Sequence, residues 1–175
     1  FIVRSAPKVD KFLPGPGDPS YRKGAKTLMG YVGVIGQQEG MDLLTEAADH
    51  LIHKLGHEDV HFVIVGFGPH LEEVKRDVAE HGLSEYFTFT GALYDTELLK
   101  ALNEMDIGVS PDPHNAMNDI STMNKVMEYM TLERPLVQFD LTEGRASAGE
   151  ASLYARHNDP IDFAEKLAEL IESID

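Results

Sequence analysis

Six short apolar runs alternate with longer stretches of helical period along almost the whole chain, and that alternation leaves few folds open. The predicted strands are 27–35, 60–65, 86–90, 106–110, 135–139 and 152–155, several rich in Val, Ile and Phe. After the first, a helix is predicted from about Gly40 to Leu55, with Leu43, Leu44, Ala47, Ala48, Leu51, Ile52 and Leu55 on one stripe. Others are predicted over 69–81, with Pro69 at the first helical position, and over 95–103, with Asp95 as N-cap. Two more follow, over 122–132 and from Pro160 onward, while the Gly/Ser/Ala/Glu stretch 143–151 reads as a connection. Met117, Met123, Met127 and Met130 are expected to pack in the core around the fourth and fifth strands. Such repetition implies a Rossmann-like, doubly wound α/β domain: a mostly parallel six-stranded sheet with helices on both faces. Ligands in these sheets lie beyond the C-terminal strand ends, so the turns after Val34, Val65, Thr90, Ser110 and Phe139 form the expected binding rim.

The 175 residues suffice for one such domain. Residues 1–26, with a Gly-Pro-Gly-Asp-Pro cluster at 15–19, read as an irregular lead-in, leaving 27–175 as the domain. The chain starts at Phe1 without a signal pattern and reads as a piece trimmed from a longer protein. It has no cysteine, which excludes disulfides and thiolate metal sites and fits a reducing, cytoplasmic setting. No apolar run approaches the ~20 residues that span a bilayer, so membrane contact is not expected. Fifteen basic against thirty acidic residues give a net charge of −15 with no basic stripe, which argues against nucleic-acid binding. A small anion is still within reach, because backbone N–H groups and one or two local cations can hold a phosphate.

Gly66-Phe-Gly-Pro69 follows a strand and opens a helix, the right context for a phosphate at a helix N-terminus; its other reading is a tight βα turn. The segment Asn118-Asp-Ile-Ser-Thr-Met-Asn-Lys-Val-Met-Glu-Tyr-Met130 carries more chemistry. Ser121 or Thr122 would cap a helix whose first-turn N–H groups face an anion, with Lys125 beside them. Glu128, three residues on, could accept two hydrogen bonds from a sugar diol; alternatively the two form a solvent-facing Lys–Glu pair. Arg145 is a candidate second phosphate contact or a surface ion-pair partner. Asp112, His114 and Asn115 are candidates for sugar hydroxyls or for loop stabilisation. His53 and His57 stand four apart, with His50 and His61 nearby, in a spacing zinc can use; without a third ligand they read as a solvated face.

From end to end the chain resembles the C-terminal domain of the family-four, group 1, retaining glycosyltransferases of GT-B fold. Six stretches carry the likeness in family order. Phe1-Ile-Val-Arg-Ser-Ala-Pro-Lys-Val-Asp-Lys-Phe-Leu-Pro14 is similar to the interdomain segment, and Tyr31-Val-Gly-Val-Ile-Gly-Gln-Gln-Glu-Gly40 to the "Val-Gly-Arg-Leu…Lys-Gly" loop. Val63-Ile-Val-Gly-Phe-Gly-Pro69, Phe89-Thr-Gly91 and Met105-Asp-Ile-Gly-Val-Ser-Pro111 resemble "Ile-Val-Gly-x-Gly-Pro", "Phe-x-Gly" and "Ala-Asp-x-x-Val-x-Pro-Ser". Met127-Glu-Tyr-Met-Thr-Leu-Glu-Arg-Pro-Leu-Val137 resembles "x-Glu-Ala-Met-Ala-x-Gly-x-Pro-Val-Val".

The resemblance implies transfer of a sugar, with retention, from a nucleoside-diphosphate sugar to an acceptor held by an N-terminal domain absent from this chain. No metal or other cofactor is implied. Donor contacts are implied from Gly33, Gly36, Gly66, Gly68, Thr90, Gly91 and Leu93, and from Asp119, Ser121, Thr122, Asn124, Lys125, Glu128 and Arg145, with Lys125 and Glu128 in the catalytic role. The chain also departs from the family. Its diphosphate-clamping Arg and Lys fall on Val34 and Glu39, and the first glutamate of its paired acidic motif falls on Ile120, with Asp119 one position away. The Asn-Lys-x-x-Glu-Tyr-Met form resembles a branch common among bacterial surface-polysaccharide enzymes, in which Lys125 would take over diphosphate neutralisation. Two alternatives stand beside this reading: a nucleotide-sugar epimerase of the same architecture, and a degenerate domain serving structure alone.

Overall fold

A computed structural model describes residues 11–174; most of the lead-in motif, residues 1–10, lies outside the described residues. The six strands are β1 (Thr27–Val32), β2 (Val60–Val65), β3 (Phe87–Gly91), β4 (Ile107–Ser110), β5 (Leu136–Phe139) and β6 (Ser152–Ala155). All pair in parallel, in the order β3-β2-β1-β4-β5-β6. The helices are α1 (Met41–Asp49), α2 (Leu71–Glu80), α3 (Asp95–Glu104), α4 (Asn124–Thr131), α5 (Thr142–Ala148) and α6 (Pro160–Ile174).

Alternation along the strands explains the two layers. Met29, Tyr31, Phe62, Ile64, Ile107, Val109, Val137 and Phe139 face one way and bury the apolar stripes of α1, α2 and α6. Leu28, Val63, Val65 and Leu136 face the other way, onto α3, α4 and α5. The fold is therefore α/β, Rossmann-like and doubly wound, with its switch point between β1 and β4.

At that point the sheet splits. β1 pairs with β2 along its whole length but with β4 only at Met29↔Ile107 and Gly30↔Gly108. The gap is bridged by Tyr129 of α4, whose hydroxyl accepts from Val32 N–H (3.1 Å) and donates to the Val109 carbonyl (3.3 Å). Gly108 makes room for it: a Cβ there would lie 2.4 Å from the Tyr129 ring.

Four local expectations are corrected. Residues 142–148 form α5 rather than a plain connection. Tyr94, not Asp95, is the N-cap of α3; Asp95 is its first residue, with φ 44°. Neither Ser121 nor Thr122 caps α4, which begins at Asn124 with Met123 as N-cap. Met117 is exposed on the rim, whereas Met123 and Met130 do pack against the core. Beyond α1 the chain continues as a π-wound turn, His50–Lys54, closed by Leu55 N–H to the His50 carbonyl. There His53 pairs with Asp49 (2.8 Å), and His61 is bonded to Thr88 (2.8 Å); burial holds its imidazole below the ordinary value.

At the N-terminal end of the sheet, Arg22 sends paired bonds to Asp106 (2.7 and 2.8 Å), a third to Glu104, and two more to the carbonyls of Lys26 and Glu104. Asp106 also accepts from Leu28 N–H (2.8 Å). This network ties the lead-in to β1 and β4.

Candidate functional site

The C-terminal ends of β1 and β4 part at the switch point, where a doubly wound sheet forms its binding crevice, and α4 directs a lysine towards them. Lys125 stands in the first turn of α4 with its side chain 8% exposed, directed at Tyr31 of β1 and at the loops that follow β1 and β4. Its Nζ donates to both Asp112 oxygens (2.7 and 2.8 Å) and lies 3.4 Å from Glu39 Oε2. The ammonium also lies 5.0 Å from the centre of the Tyr31 ring, over its face. Asp112, in the first turn after β4, accepts a further bond from Ser110 Oγ and is 2% exposed.

Lys125 thus lies beside the loop in which Glu39 occupies the position where the resemblance expects a clamping lysine. What the sequence did not reveal is that Asp112 and Glu39 converge on Lys125. A carboxylate replacing an expected cation, in a chain with an extra lysine elsewhere, is the signal that could have exposed the pair.

Tyr31 donates to the Val34 carbonyl at 2.7 Å, with Glu39 at 3.4 Å. Burial, reinforced by Glu39 and Asp112, pushes its phenol far above the ordinary value, so it remains a donor. The Glu39 carboxyl is also held above the usual range: burial and Asp112 outweigh Lys125.

Glu128 is half-buried one turn along α4, and among the described residues its carboxylate makes no hydrogen bond or ion pair. Burial raises it above the usual carboxylate range against the weaker pull of Lys11 and Lys125. Asn124 is exposed at the start of α4, where no side chain caps the first-turn amides. The hydroxyls predicted to cap it are engaged elsewhere, Ser121 with the Met117 carbonyl (2.6 Å) and Thr122 with Glu143 (3.0 Å).

The glycines serve a different purpose from phosphate approach alone. A Cβ on Gly66 would lie 1.8 Å from the Gly33 carbonyl oxygen, and one on Gly68 would lie 2.2 Å from that of Ile35. The exits of β1 and β2 are pressed together and joined by Gly33 N–H to Val65 O, Ile35 N–H to Phe67 O and His70 N–H to Ile35 O. Gly66 N–H is itself given to the Gly91 carbonyl (2.9 Å), so that amide is not available to a phosphate. Gly36 is buried beside Gln38, and Thr90 bonds the carbonyls of Ile64 and Gly91. Leu93 packs partly into the α3 layer.

Other candidates are engaged with local partners. Asp119 accepts from Thr142 N–H (2.8 Å), which holds its carboxyl below the usual range. Arg145 pairs with Asp140 and lies 4.2 Å from the Tyr154 ring, as its ion-pair alternative predicts. Asn115 stabilises its own loop through Met117 and Asn118 N–H, and His114 stacks on His157 at 3.9 Å. Among the described residues no group of three or more His, Asp or Glu could hold a metal ion, and no helix is long and apolar enough to cross a membrane. Around the rim, Val34, Phe67, Tyr94, Met117 and Ile120 present exposed apolar side chains.

Comparison with known proteins adds a family. The model for glycosyl transferases group 1 matches residues 26–173. A 2-deoxystreptamine glucosyltransferase of Streptomyces kanamyceticus is 30% identical over 105 residues, covering 60% of this chain and 24% of that protein. A 2-deoxystreptamine N-acetyl-D-glucosaminyltransferase of Streptomyces fradiae is 23% identical over 146 residues, 83% of this chain and 32% of that one. The chain thus spans about a quarter to a third of the length of these relatives. Among solved structures, the C-terminal domain of a group 1 glycosyl transferase from Francisella tularensis superposes with TM-score 0.72 at 19% identity, covering 94% of this chain and 87% of that one. An Anabaena protein crystallised with UDP and glucose gives 0.76 at 14% identity, covering 97% of this chain and 46% of that one.

Proposed function

The chain belongs to the group 1 glycosyl transferases, and from that premise we propose that it is the donor half of such an enzyme, binding a nucleoside-diphosphate sugar in the crevice between β1 and β4. The observation that carries this reading is Lys125, an ammonium seated at the switch point beside the uncapped first turn of α4. An anion there meets a positive charge and free N–H groups together. In transfer, the departing diphosphate accumulates negative charge, and a fixed cation in a water-poor crevice lowers that barrier electrostatically. Glu128, without a partner among the described residues, is suited to accept from the two ribose hydroxyls. Retention at the anomeric carbon and a role in surface polysaccharide synthesis follow from the resemblance and are part of the proposal. So is the acceptor domain, which would close on the apolar rim, and the cytoplasmic setting. Structural neighbours were crystallised with UDP, the Anabaena protein with UDP and glucose among them, which makes UDP the first probe.

Calorimetric titration with UDP, GDP and ADP tests the reading. One nucleotide is expected to bind, and Lys125→Ala to weaken it by about tenfold to a hundredfold, the worth of a charged hydrogen bond. Unchanged affinity rejects the assignment. Glu128→Gln should weaken the nucleoside diphosphate while leaving inorganic pyrophosphate unaffected. A second reading, a structural domain without donor binding, draws on the two carboxylates already facing Lys125. It gains if none of the three nucleotides raises the unfolding temperature.

A further inference from the structure

We propose that Glu39 is a displaceable counter-ion of Lys125, so that a nucleoside diphosphate enters the crevice together with a proton. The proposal rests on the donor-binding reading above and adds how the site controls occupancy.

The three N–H bonds of the ammonium are used unequally. Two go to Asp112, at 2.7 and 2.8 Å, and Asp112 is itself anchored by Ser110 and almost fully buried. The third faces Glu39 across 3.4 Å, a weak contact. Glu39 sits in a short turn, Gln37–Glu39, between Gly36 and Gly40, and its carboxylate is 18% exposed. The Tyr31 hydroxyl beside it is also 3.4 Å away and bonds more closely to the Val34 carbonyl, and the third neighbour of Glu39, Asp112, is a like charge. Asp112 is a fixed partner; Glu39 is a loose one.

The charge balance gives the loose partner a role. The groups facing Glu39 are Tyr31 from β1, Asp112 from the β4–α4 loop and Lys125 from α4. With both acids ionised the cluster carries a net negative charge, and a diphosphate adds at least two more within a few ångströms. Each like-charge contact at such a distance costs on the order of 1–4 kcal/mol near a protein surface. If Glu39 takes a proton from solvent, the cluster becomes neutral. The third Lys125 N–H is then free for a phosphate oxygen, and the new carboxylic O–H becomes a second donor. No covalent bond forms or breaks other than the O–H of that acid. The raised Glu39 carboxyl is in keeping with this, since burial beside Asp112 already favours the protonated form.

The test is calorimetry with UDP on the 175-residue chain and on Glu39→Gln, between pH 6 and pH 8, in two buffers of different ionisation enthalpy. Wild type is expected to take up a proton on binding and to lose affinity by up to tenfold per pH unit above the titration of Glu39. Glu39→Gln should bind about tenfold or more tightly at pH 8 than wild type and keep only the shallower pH dependence of UDP itself, which both proteins share. Parallel pH profiles, or a Glu39→Gln variant no tighter at pH 8, would overturn the proposal while leaving the Lys125→Ala loss intact. An unchanged Lys125→Ala variant fails the donor-site reading instead. If neither wild type nor Glu39→Gln binds UDP at any pH, both fall.

Discussion

Arg22 and Lys125 each face two carboxylates, at opposite ends of the same sheet, and the two clusters are built for different ends. Arg22 meets Glu104 and Asp106 with a planar fork and spends its donors on short bonds, five of them to side chains and carbonyls. Lys125 meets Asp112 and Glu39 with a point charge and leaves one N–H poorly matched. A saturated guanidinium is a staple, because any anion arriving there finds no donor to spare. An ammonium with one loosely held proton, deeper in the protein and at the switch point, is a site.

The contrast can be broken by substitution. Lys125→Ala is expected to have the largest effect, costing about 3 kcal/mol of stability as well as donor affinity, because Asp112 is left buried without its cation. Chemical denaturation measures the first and titration the second. Arg22→Ala should cost about 2 kcal/mol in the same denaturation experiment yet leave UDP affinity unchanged; a parallel loss of affinity would erase the distinction between the clusters. Tyr129→Phe strands Val32 N–H and the Val109 carbonyl at the mouth of the crevice and should cost about 1–2 kcal/mol.

Glu128→Gln is the smallest and reverses sign. The Glu128 carboxyl is raised in the folded chain, so its contribution is fully present below the unfolded value, about 4.3, and is lost as pH rises through the folded one. The glutamine variant should therefore be slightly more stable than wild type near pH 7–8, by less than about 1 kcal/mol. The difference should vanish as pH falls below the ordinary carboxylate range, which thermal unfolding across that range would reveal.

The strand–helix alternation was legible because period and burial agree; β2 and β6 have the bounds the apolar runs suggest. α5 was not, since Thr-Glu-Gly-Arg-Ala-Ser-Ala is short and broken by a glycine. Gly144 packs against the end of the Gln138 side chain, 2.5 Å from where a Cβ would sit. The start of α4 was misread because Ser121 and Thr122 have the chemistry of caps but direct their hydroxyls to Met117 and Glu143. At the site, Lys125 could be found from its place in a motif. Its counter-ions are harder to find, because Glu39 and Asp112 approach it from loops 86 and 13 positions away in sequence, and only the carboxylate at position 39 leaves a signal.

The Tyr129 bridge has a consequence for how this crevice can evolve. Where β1 and β4 part, their separation is gauged by a phenol standing between two peptide groups, not by a ladder of amides. A ladder has one spacing; a side chain used as a shim can be exchanged. The spacing of the two strand exits thus hangs on a single side chain, while the strands beneath are held by their own pairing.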